Sequence, residues 1–519
     1  MLRGELLEVS AKPLLAVMVC CLFGAWLWKY AADRWNDRCF ATQSGCKPAP
    51  KWAARWPQGL DLLVAVFRHA EAGTILQFFL DVLELSGPTH EQRLLGSSGI
   101  NTIEPQNIEH ILSNQFDDFD LGLRPIHFAP LLGSGIFTQD GPAWKHSRAL
   151  LRPQFASNRT QNFEEIKKCV ENLLQQVPAD GSIDLLPLFF RLTFDTTTFL
   201  LFGKTTSSLA SHKVAGEESQ FAKAFNIAQR YLSHRGRLGL FYWVANTPDF
   251  RKACKTSHNF VDTEVQKALD AFEEGKTAPG RQYVFVDALV RETQDKKALR
   301  DQCLNVLLAG RDTTACCLVW TTRLLAQHQH VLTKLRAEVE AVVGIGLESP
   351  QPTREQFKKM RYLDLVLKEV LRLYPSVPIN SRAAVRTTTL PLGGGPDGKA
   401  SVLVRKGQAV GYCVYAMHRR KDLYGEDAMQ FVPERWEDGQ LSKRIGYGYL
   451  PFNGGPRVCL GQDFALLEAG YTIVRMIQRF PYIELSEKEK TVEVGREKQD
   501  LTLVVAPANG CHVYLRSSP

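Results

Sequence analysis

One cysteine in a glycine-rich stretch has the setting of a reactive or metal-binding thiolate. Cys459 lies between Gly455 and Gly461, and residues 462–476, which follow, carry apolar positions at helical spacing. A thiol just before a helix N-terminus meets the partial positive charge of that helix end, which predicts a lowered pKa and a thiolate. The glycines fit a tight loop whose backbone approaches something flat.

Three roles are open to Cys459 on these residues alone. Most buried cysteines are structural. A zinc site has weak support, because no CxxC accompanies the residue and the nearest cysteines, Cys413 and Cys511, are far away in sequence. The third role is ligation of a haem iron, because the pattern F-x-x-G-x-R-x-C-x-G resembles the haem-binding signature of the cytochrome P450 superfamily. Its five fixed positions here are Phe452, Gly455, Arg457, Cys459 and Gly461.

The resemblance implies a heme b cofactor and assigns parts of its site. Cys459 would be the axial iron ligand, and Phe452 would shield its sulfur. Arg457 would neutralise a haem propionate, and Gly461 would belong to the same cofactor-binding loop. An axial thiolate pushes electron density towards the iron and favours O–O cleavage.

A second candidate site lies in the middle of the longest helical pattern, residues 297–326. Glycine weakens a helix interior, and threonine can hydrogen-bond the carbonyl one turn back, so Gly310, Asp312 and Thr313 are unusual together there. A local widening would leave room for water or dioxygen, although small residues also serve helix contacts. The stretch is similar to the (A/G)-G-x-(D/E)-T-(T/S) element of cytochromes P450, which implies that Thr313 and Asp312 are catalytic and deliver protons.

Three further residues are candidates for binding the cofactor. Trp144 and Arg148 are four residues apart, so on one helix face an indole N–H and a guanidinium can converge on a carboxylate. An isolated pair of this kind is more often a core tryptophan and a solvent-exposed arginine. In the resembled family the pair contacts a haem propionate, and Arg382 stands where that family often places another propionate arginine.

A charged set is predicted to have a structural role. Glu369 and Arg372 lie three residues apart on the periodic helix at residues 362–373, so they face the same way. Surface pairs with this spacing are common and contribute little. The resemblance adds Arg435 and implies a buried triad that locks the helix to the segment before the cysteine loop.

The whole chain predicts one large, mainly α domain with a minor β-sheet, as in the cytochrome P450 fold. Its 519 residues show 45% hydrophobic and 23% charged composition, with no second composition regime or repeat. The net charge of +8 is spread out, which argues against a nucleic-acid-binding tail. Further helical patterns fall at 162–177, 218–235, 247–272 and 331–343. Strand and turn signals concentrate at 82–102 and 387–410.

The N-terminal region reads as a membrane anchor. Residues 13–32 predict a transmembrane signal anchor after a lumenal leader at 1–12, since residues 14–28 carry no charge. Glu5 and Glu8 oppose the alternative of a cleaved signal peptide. Basic residues beyond the span place the body in the cytoplasm, on the endoplasmic reticulum membrane, and twelve cysteines without framework spacing fit a reducing compartment. A basic, proline-rich hinge at 33–58 then leads to the catalytic domain at 59–519.

Within the superfamily, residues 130–141, 307–314 and 371–378 resemble the fungal alkane- and fatty-acid-hydroxylating group. One departure is Gln329, where that group usually has proline. The resemblance implies a monooxygenase that inserts one oxygen atom of O2 into a C–H bond, at or near the end of a long aliphatic chain. Open alternatives are tailoring of a polyketide or terpenoid, a haem isomerase or lyase, and a haem carrier; the last two leave the Asp312 and Thr313 pair unexplained.

Partners follow from the same interpretation. The family implies electrons from NADPH through NADPH–cytochrome P450 reductase, besides membrane lipid and a small hydrophobic substrate; no nucleic acid is expected. Basic residues on the cysteine side are candidates for reductase docking, namely Lys145, Lys443 and Arg444. An apolar mouth dipping into lipid is one interpretation of an aromatic run, Phe241, Tyr242 and Trp243, and an ordinary hydrophobic loop is the other.

Overall fold

The structure is a computed structural model, and helices dominate it. It describes residues 11–52, 54–157, 159–205, 208–209, 217–275, 284–487, 489 and 491–517, so most of the predicted leader lies outside the described residues. Within these ranges long helices surround a few small sheets. The predicted class, mainly α with minor β, is confirmed.

The helices fall into a long and a short class. The α-helices in chain order are α1 (Ala11–Gln43), α2 (Leu60–Ala72), α3 (Ile75–Ser86), α4 (Pro105–Glu109), α5 (Arg124–Leu132), α6 (Gly141–Ser157), α7 (Arg159–Gln175), α8 (Leu186–Phe202), α9 (Glu217–Leu238), α10 (Pro248–Glu273), α11 (Phe285–Glu292), α12 (Lys296–Gln327), α13 (Gln329–Val343), α14 (Arg354–Phe357), α15 (Arg361–Leu373), α16 (Val414–Met417), α17 (Lys421–Tyr424), α18 (Gln440–Ile445) and α19 (Gln462–Arg479). Short 3-10 or π turns lie at Pro57–Gly59, His110–Asn114, Phe116–Asp118, Gly239–Ala245, Pro433–Trp436, Gly446–Gly448 and Gly455–Arg457.

The strands form one mixed sheet and three small antiparallel ones. They are β1 (Thr89–Leu94), β2 (Ser97–Thr102), β3 (Phe119–Asp120), β4 (Asp180–Asp184), β5 (Ile379–Ala384), β6 (Thr388–Gly394), β7 (Ala400–Val404), β8 (Ala409–Cys413), β9 (Tyr482–Leu485), β10 (Gln499–Leu501), β11 (Val505–Pro507) and β12 (His512–Arg516). The largest described sheet has the order β1-β2-β8-β5-β3, with β2 and β8 parallel. The others are β4-β12-β9, β6-β7 and β10-β11.

Helix α12 is the centre of the domain. Its residues are buried from Leu299 to Ala326 with few exceptions, and it packs against α8, α10, α15 and α19. A helix buried on all sides lacks a polar face, so its position must be fixed by its neighbours. Those neighbours carry the predicted site residues: α15 bears Glu369 and Arg372, and α19 begins directly after the cysteine loop.

The loop between α5 and α6 is seated on α12 by two polar side chains. Asp301 accepts a hydrogen bond from Ser134 N at 2.9 Å, and Asn305, one turn later, accepts one from Phe137 N at 3.0 Å. A Cβ at Gly133 would lie 2.0 Å from the Asp301 carboxyl group, so glycine is required there. These two hydrogen bonds fix where α6 begins, and therefore where Trp144 and Arg148 lie.

The anchor helix continues beyond the predicted span. Helix α1 ends only at Gln43, so the first part of the expected hinge is helical. Residues 15–43 are long and apolar enough to cross a membrane, and none of the most apolar window is buried. At its far end Asp37 pairs with Arg405 at 3.2 Å and accepts a hydrogen bond from Thr387 Oγ1 at 3.1 Å. These contacts attach the helix to the catalytic domain.

Gln329 replaces proline at a helix junction without disturbing it. The residue is the first of α13, and its side-chain amide donates to Ala326 O at 2.7 Å and Ile483 O at 2.8 Å. The amide therefore satisfies a carbonyl at the end of α12, which a proline side chain could not do.

Candidate active site

The cysteine loop is held by close backbone packing. Cys459 N donates to Phe452 O at 2.9 Å, which closes the loop at its base. Gly455 has φ of +63°, and a Cβ there would lie 1.9 Å from Leu112 O. Any side chain would collide with that backbone, so the loop requires glycine at this position. Asn453 braces the turn by donating to Arg457 O at 3.2 Å.

The environment of the Cys459 thiol differs from the prediction. The side chain is accessible although protein surrounds most of it. Burial raises the pKa of the thiol, and this outweighs the lowering by the Gly461 N–H and the Arg148 guanidinium. The predicted net lowering of the pKa is therefore wrong, because the cost of desolvating a thiolate exceeds the stabilisation by the helix end. The backbone N–H at the start of the helix does lower the pKa of the thiol, as predicted, but by too little to offset burial.

Trp144 and Arg148 lie beside the cysteine, as α6 places them. Arg148 Nη1 donates to Val458 O at 2.9 Å, directly before Cys459. The Arg457 guanidinium lies 4.4 Å from the centroid of the buried Trp144 ring, and the Arg148 guanidinium 5.8 Å from it. The structure thus brings Trp144, Arg148, Arg457 and Cys459 together, with both guanidinium groups within about 6 Å of the indole ring.

A cluster of arginines, with Arg382 buried and the others partly buried, surrounds this point. Arg382 on β5 is 2% exposed, and its Nε has no hydrogen-bond partner among the described residues. Arg457 pairs with Asp140 at 2.6 Å, yet burial, with the charges of Arg382 and Arg148, lowers the pKa of Arg457 to about 10. Positive charge therefore exceeds negative charge in this part of the interior.

Arg124 completes the cluster and was missed by the sequence reasoning. Burial, followed by repulsion from Arg382 and Arg457, lowers the pKa of Arg124 to about 9. Its guanidinium donates to Ser381 O at 3.1 Å and to the Asn380 side chain, on the same strand as Arg382. No local motif marks Arg124, since its partners are more than 250 residues away in sequence.

These residues fit a haem. A dianionic group would compensate the arginine cluster and give the orphaned Arg382 Nε an acceptor, and haem b carries two propionates. The accessible thiol next to the cluster supplies the soft ligand that iron takes at an axial position. The residues that would hold the group are Arg124, Trp144, Arg148, Arg382, Arg457 and Cys459.

The predicted triad is present and fully enclosed. Glu369 and Arg372, both with 0% exposure, form two hydrogen bonds of 2.8 and 2.7 Å. Arg435 Nε donates to Glu369 Oε1 at 2.8 Å, and Trp436 Nε1 donates to Oε2 at 2.8 Å. Removing one partner of such a buried set leaves an uncompensated charge and costs roughly 3–5 kcal/mol. Trp436 is a fourth member that sequence spacing did not predict.

His418 connects the triad to the cysteine loop. Its Nε2 accepts a hydrogen bond from Leu450 N at 2.8 Å, so its proton resides on Nδ1, which faces Arg372 O at 3.0 Å. Burial, assisted by the charges of Arg372 and Arg419, lowers the pKa of His418 to about 3. The neutral imidazole is required by the bond from Leu450 N, because a protonated Nε2 could not accept it. Sequence reasoning did not identify this residue.

The two residues on α12 that are predicted to deliver protons, Asp312 and Thr313, lie in different environments. Thr313 is half-buried, and its hydroxyl donates to Ala309 O at 2.7 Å. Asp312 is 2% exposed and pairs with Arg311 at 3.0 Å, while its Oδ2 has no hydrogen-bond partner among the described residues. Burial raises the pKa of Asp312, opposed by Arg311 and by Gln229 on α9.

Gly310 serves helix packing. A Cβ at this position would lie 2.5 Å from Thr197 Oγ1 on α8, so glycine permits the close approach of α8 and α12. The helix is continuous through residues 309–314, without the predicted widening. The alternative reading of the small residues, a helix–helix contact, therefore accounts for Gly310.

Among the described residues, no hydrogen bond or ion pair joins Asp312 or Thr313 directly to the cysteine loop. Thr313 O instead accepts a hydrogen bond from Ser376 Oγ at 2.9 Å, which ties α12 to the segment leading into β5 and Arg382. Glu468 on α19, a buried carboxyl that sequence reasoning passed over, accepts a hydrogen bond from Thr196 on α8. Burial raises the pKa of Glu468 to about 7, with Thr196 and Thr314 opposing the shift. The two halves of the site are therefore related indirectly, through Ser376 and through Glu468.

A mainly helical fold with an accessible thiol beside a cluster of arginines is the arrangement expected of a haem-thiolate protein. Comparison with known proteins gives the family. The family model for cytochrome P450 matches residues 56–509, and the chain therefore belongs to the cytochrome P450 family. It is a haem-thiolate monooxygenase that receives its electrons from a reductase partner.

Similar proteins span nearly the whole chain. A cytochrome P450 of Arthroderma benhamiae is 57% identical over 97% of this chain and 99% of its own length. Cytochrome P450 52A13 of Debaryomyces hansenii is 41% identical over 93% of this chain and 95% of its own. Cytochrome P450 monooxygenase g430 of a Fusarium species is 41% identical, covering 92% and 86%. The predicted family, and its resemblance to this fungal group, are confirmed.

Proposed function

We propose that this membrane-anchored P450 hydroxylates a long aliphatic chain, a fatty acid or an n-alkane, at or near its terminal carbon. One observation supports an apolar reacting segment. The charged residues next to Thr313 are engaged by the protein itself: Arg311 lies 4.9 Å over the Phe190 ring and donates to Asn226 Oδ1 at 2.8 Å, besides pairing with Asp312. The charges of Arg311 and Asp312 compensate each other, so the motif offers no net charge to bind a polar substrate group.

When bound through Cys459, the haem supplies dioxygen activation, which the thiolate favours. The chain's own residues place and protect the reaction. The Thr313 hydroxyl donates its proton to Ala309 O, so the lone pairs of its oxygen are available to accept a hydrogen bond from a water. Asp312, with Oδ2 unpaired among the described residues, is the group that can pass protons towards that water.

Substrate entry is proposed at the turn between α9 and α10. Phe241 and Trp243 are 44% and 59% exposed there, and Leu240 and Val244 extend the apolar patch. Tyr242 packs inward instead, with its ring 5.4 Å from His127 on α5. An exposed aromatic turn on a membrane-anchored enzyme suits entry of a lipophilic substrate from the bilayer.

The cellular setting is also a proposal. We propose that the anchor holds the domain at the cytoplasmic face of the endoplasmic reticulum membrane and that NADPH–cytochrome P450 reductase supplies the electrons there. In support, charged residues that follow the apolar span are mostly basic. The predicted docking residues Lys145, Lys443 and Arg444 are all exposed.

A spectral binding titration tests the substrate. The full-length haem protein is titrated with palmitate, hexadecane and a terpenoid of similar size, since a ligand that reaches the iron shifts its spin state. We expect the two chain substrates to shift the spectrum and, with reductase and NADPH, to give terminal or near-terminal alcohols. A spin shift and product with the terpenoid alone would contradict the proposal and favour the tailoring role.

A further inference from the structure

A polar cleft lies where the anchor helix meets the catalytic domain. It has a volume of about 400 Å3 and is bordered by α1, the segment after it, the β1–β2 hairpin and the turn between β7 and β8. Five cationic side chains and one acidic side chain line it: Arg34, Lys51, Arg93, Arg405, Lys406 and Glu91. The cleft therefore carries a large excess of positive charge.

Most of this charge is uncompensated. Arg405 pairs with Asp37, and Glu91 accepts a hydrogen bond from Ser98 Oγ. Within the part of the chain that the structure describes, Lys51, Arg93 and Lys406 form no ion pair. Several cations that share a concave surface repel one another, and an anion placed among them removes that repulsion.

The cleft lies at the depth of lipid headgroups. Aromatic side chains mark the membrane interface on α1, where Trp26 and Tyr30 stack at 5.9 Å. Arg34 follows one turn later, with its guanidinium 5.2 Å from the Tyr30 ring. One helical turn rises by about 5.4 Å, which is close to the thickness of the headgroup layer outside the hydrocarbon core.

The cleft is also held open by fixed elements. Asp37 joins α1 to Arg405 and Thr387, so the helix and the β7–β8 turn keep their relative position. Gln408 at the cleft wall is buried and donates to Ser98 Oγ at 3.0 Å. A preformed basic recess at the membrane surface is the kind of site that recognises a phosphate-bearing lipid headgroup.

We propose that this cleft binds the headgroup of an anionic phospholipid, with Arg93, Lys51 and Lys406 contacting its phosphate and Arg34 approaching from the anchor side. Arginine provides two parallel N–H donors that match phosphate oxygens, and lysine provides a point charge. The bound lipid would join the anchor helix and the catalytic domain through one molecule. None of the residues that line the cleft is among those that would hold the haem.

Motionally restricted lipid tests the proposal. The full-length haem protein is placed in phosphatidylcholine nanodiscs that contain a minor fraction of spin-labelled phosphatidylserine, and the restricted fraction is measured by electron paramagnetic resonance. We expect the double variant Arg93→Gln with Lys406→Gln to lower the preference for phosphatidylserine over phosphatidylcholine by roughly tenfold. The reduced carbon monoxide spectrum reports that each variant is folded.

A matched control removes the same charge elsewhere. Lys358 and Lys359 are exposed and lie outside the cleft, so Lys358→Gln with Lys359→Gln is expected to leave the preference unchanged. An equal fall in both double variants would assign the effect to diffuse surface charge and overturn the site. Displacement of the labelled lipid by inorganic phosphate at constant ionic strength would assign the cleft to free phosphate and also overturn it.

Discussion

At the scale of single residues, the proposed role of Cys459 as the iron ligand gives the most direct test. The cysteine is accessible, it lies beside Arg148, and its backbone is fixed by Phe452. We expect Cys459→Ser to abolish the red-shifted absorption band of the reduced carbon monoxide complex, because a serine oxygen donates far less electron density to iron than a thiolate does. Difference spectroscopy measures the band. If the band persists in the serine variant, the ligand is another residue.

Thr313 allows a test that separates its hydroxyl from its bulk. We expect Thr313→Ala to retain haem but to release more hydrogen peroxide per NADPH consumed, because the acceptor for the ordered water is lost. Thr313→Ser keeps the hydroxyl and is the matched control, with coupling near that of the wild type. Product, peroxide and NADPH are quantified in one assay. Equal coupling in the alanine and wild-type proteins would remove Thr313 from the relay.

At the scale of elements, His418 predicts a pH dependence of stability. Its pKa falls from an ordinary 6.5 to about 3 in the folded protein, so below pH 6.5 only the unfolded chain takes up the proton. This difference costs the folded state roughly 1.4 kcal/mol for each pH unit between 6.5 and about 3, and costs nothing above 6.5.

His418→Gln is the informative change. The glutamine Oε1 can accept from Leu450 N in place of the imidazole Nε2, and the amide does not titrate. We expect the variant to lose less stability than the wild type between pH 6.5 and 5, as measured by urea unfolding. An identical acid dependence in both proteins would show that other groups control it.

Several elements follow directly from the sequence, and others do not. The periodic patterns predicted α7, α9, α10, α12, α13 and α15 to within a few residues. Helix α8 was missed because it is apolar on every side and contains a run of threonines. In the structure these threonines bond back into the helix, as Thr193 does to Phe189 O and Thr197 to Thr193 O. Thr193 and Thr196 also donate to Arg311 O and Glu468 on neighbouring helices, so the hydroxyls are satisfied inside the protein and no solvent-facing polar side reveals the helix period.

The candidate site likewise contains residues that the sequence predicted and residues that only the structure revealed. Glu369, Arg372 and Cys459 sit in short motifs, and the resemblance of those motifs to a known family predicted their roles. Arg124 and His418 join the site through partners distant in sequence, and only the tertiary packing reveals them. The pKa of Cys459 could not be predicted either, because it depends on how many atoms surround the thiol, which is a property of the packed loop.

At the scale of the whole molecule, surface charge predicts the behaviour of electron transfer. Lys145, Lys443 and Arg444 are exposed basic residues, and α6, which carries Lys145, also carries the cofactor residue Arg148. We expect Lys145→Glu to slow the first electron transfer from the reductase and to weaken its dependence on ionic strength, because opposite charges steer the encounter. Stopped-flow reduction measures the rate. Lys358→Glu is the control, and equal slowing by both would place the docking face elsewhere.

The contacts of Asp37 with Arg405 and Thr387 couple the orientation of the anchor helix to that of the catalytic domain. Because α1 is one continuous helix from Ala11 to Gln43, its tilt in the bilayer is passed on to the catalytic domain. A transmembrane helix adjusts its tilt to the local hydrocarbon thickness. The thickness of the membrane would therefore rotate the whole enzyme and, with it, the exposed turn at Phe241 and Trp243 that is proposed as the substrate entrance.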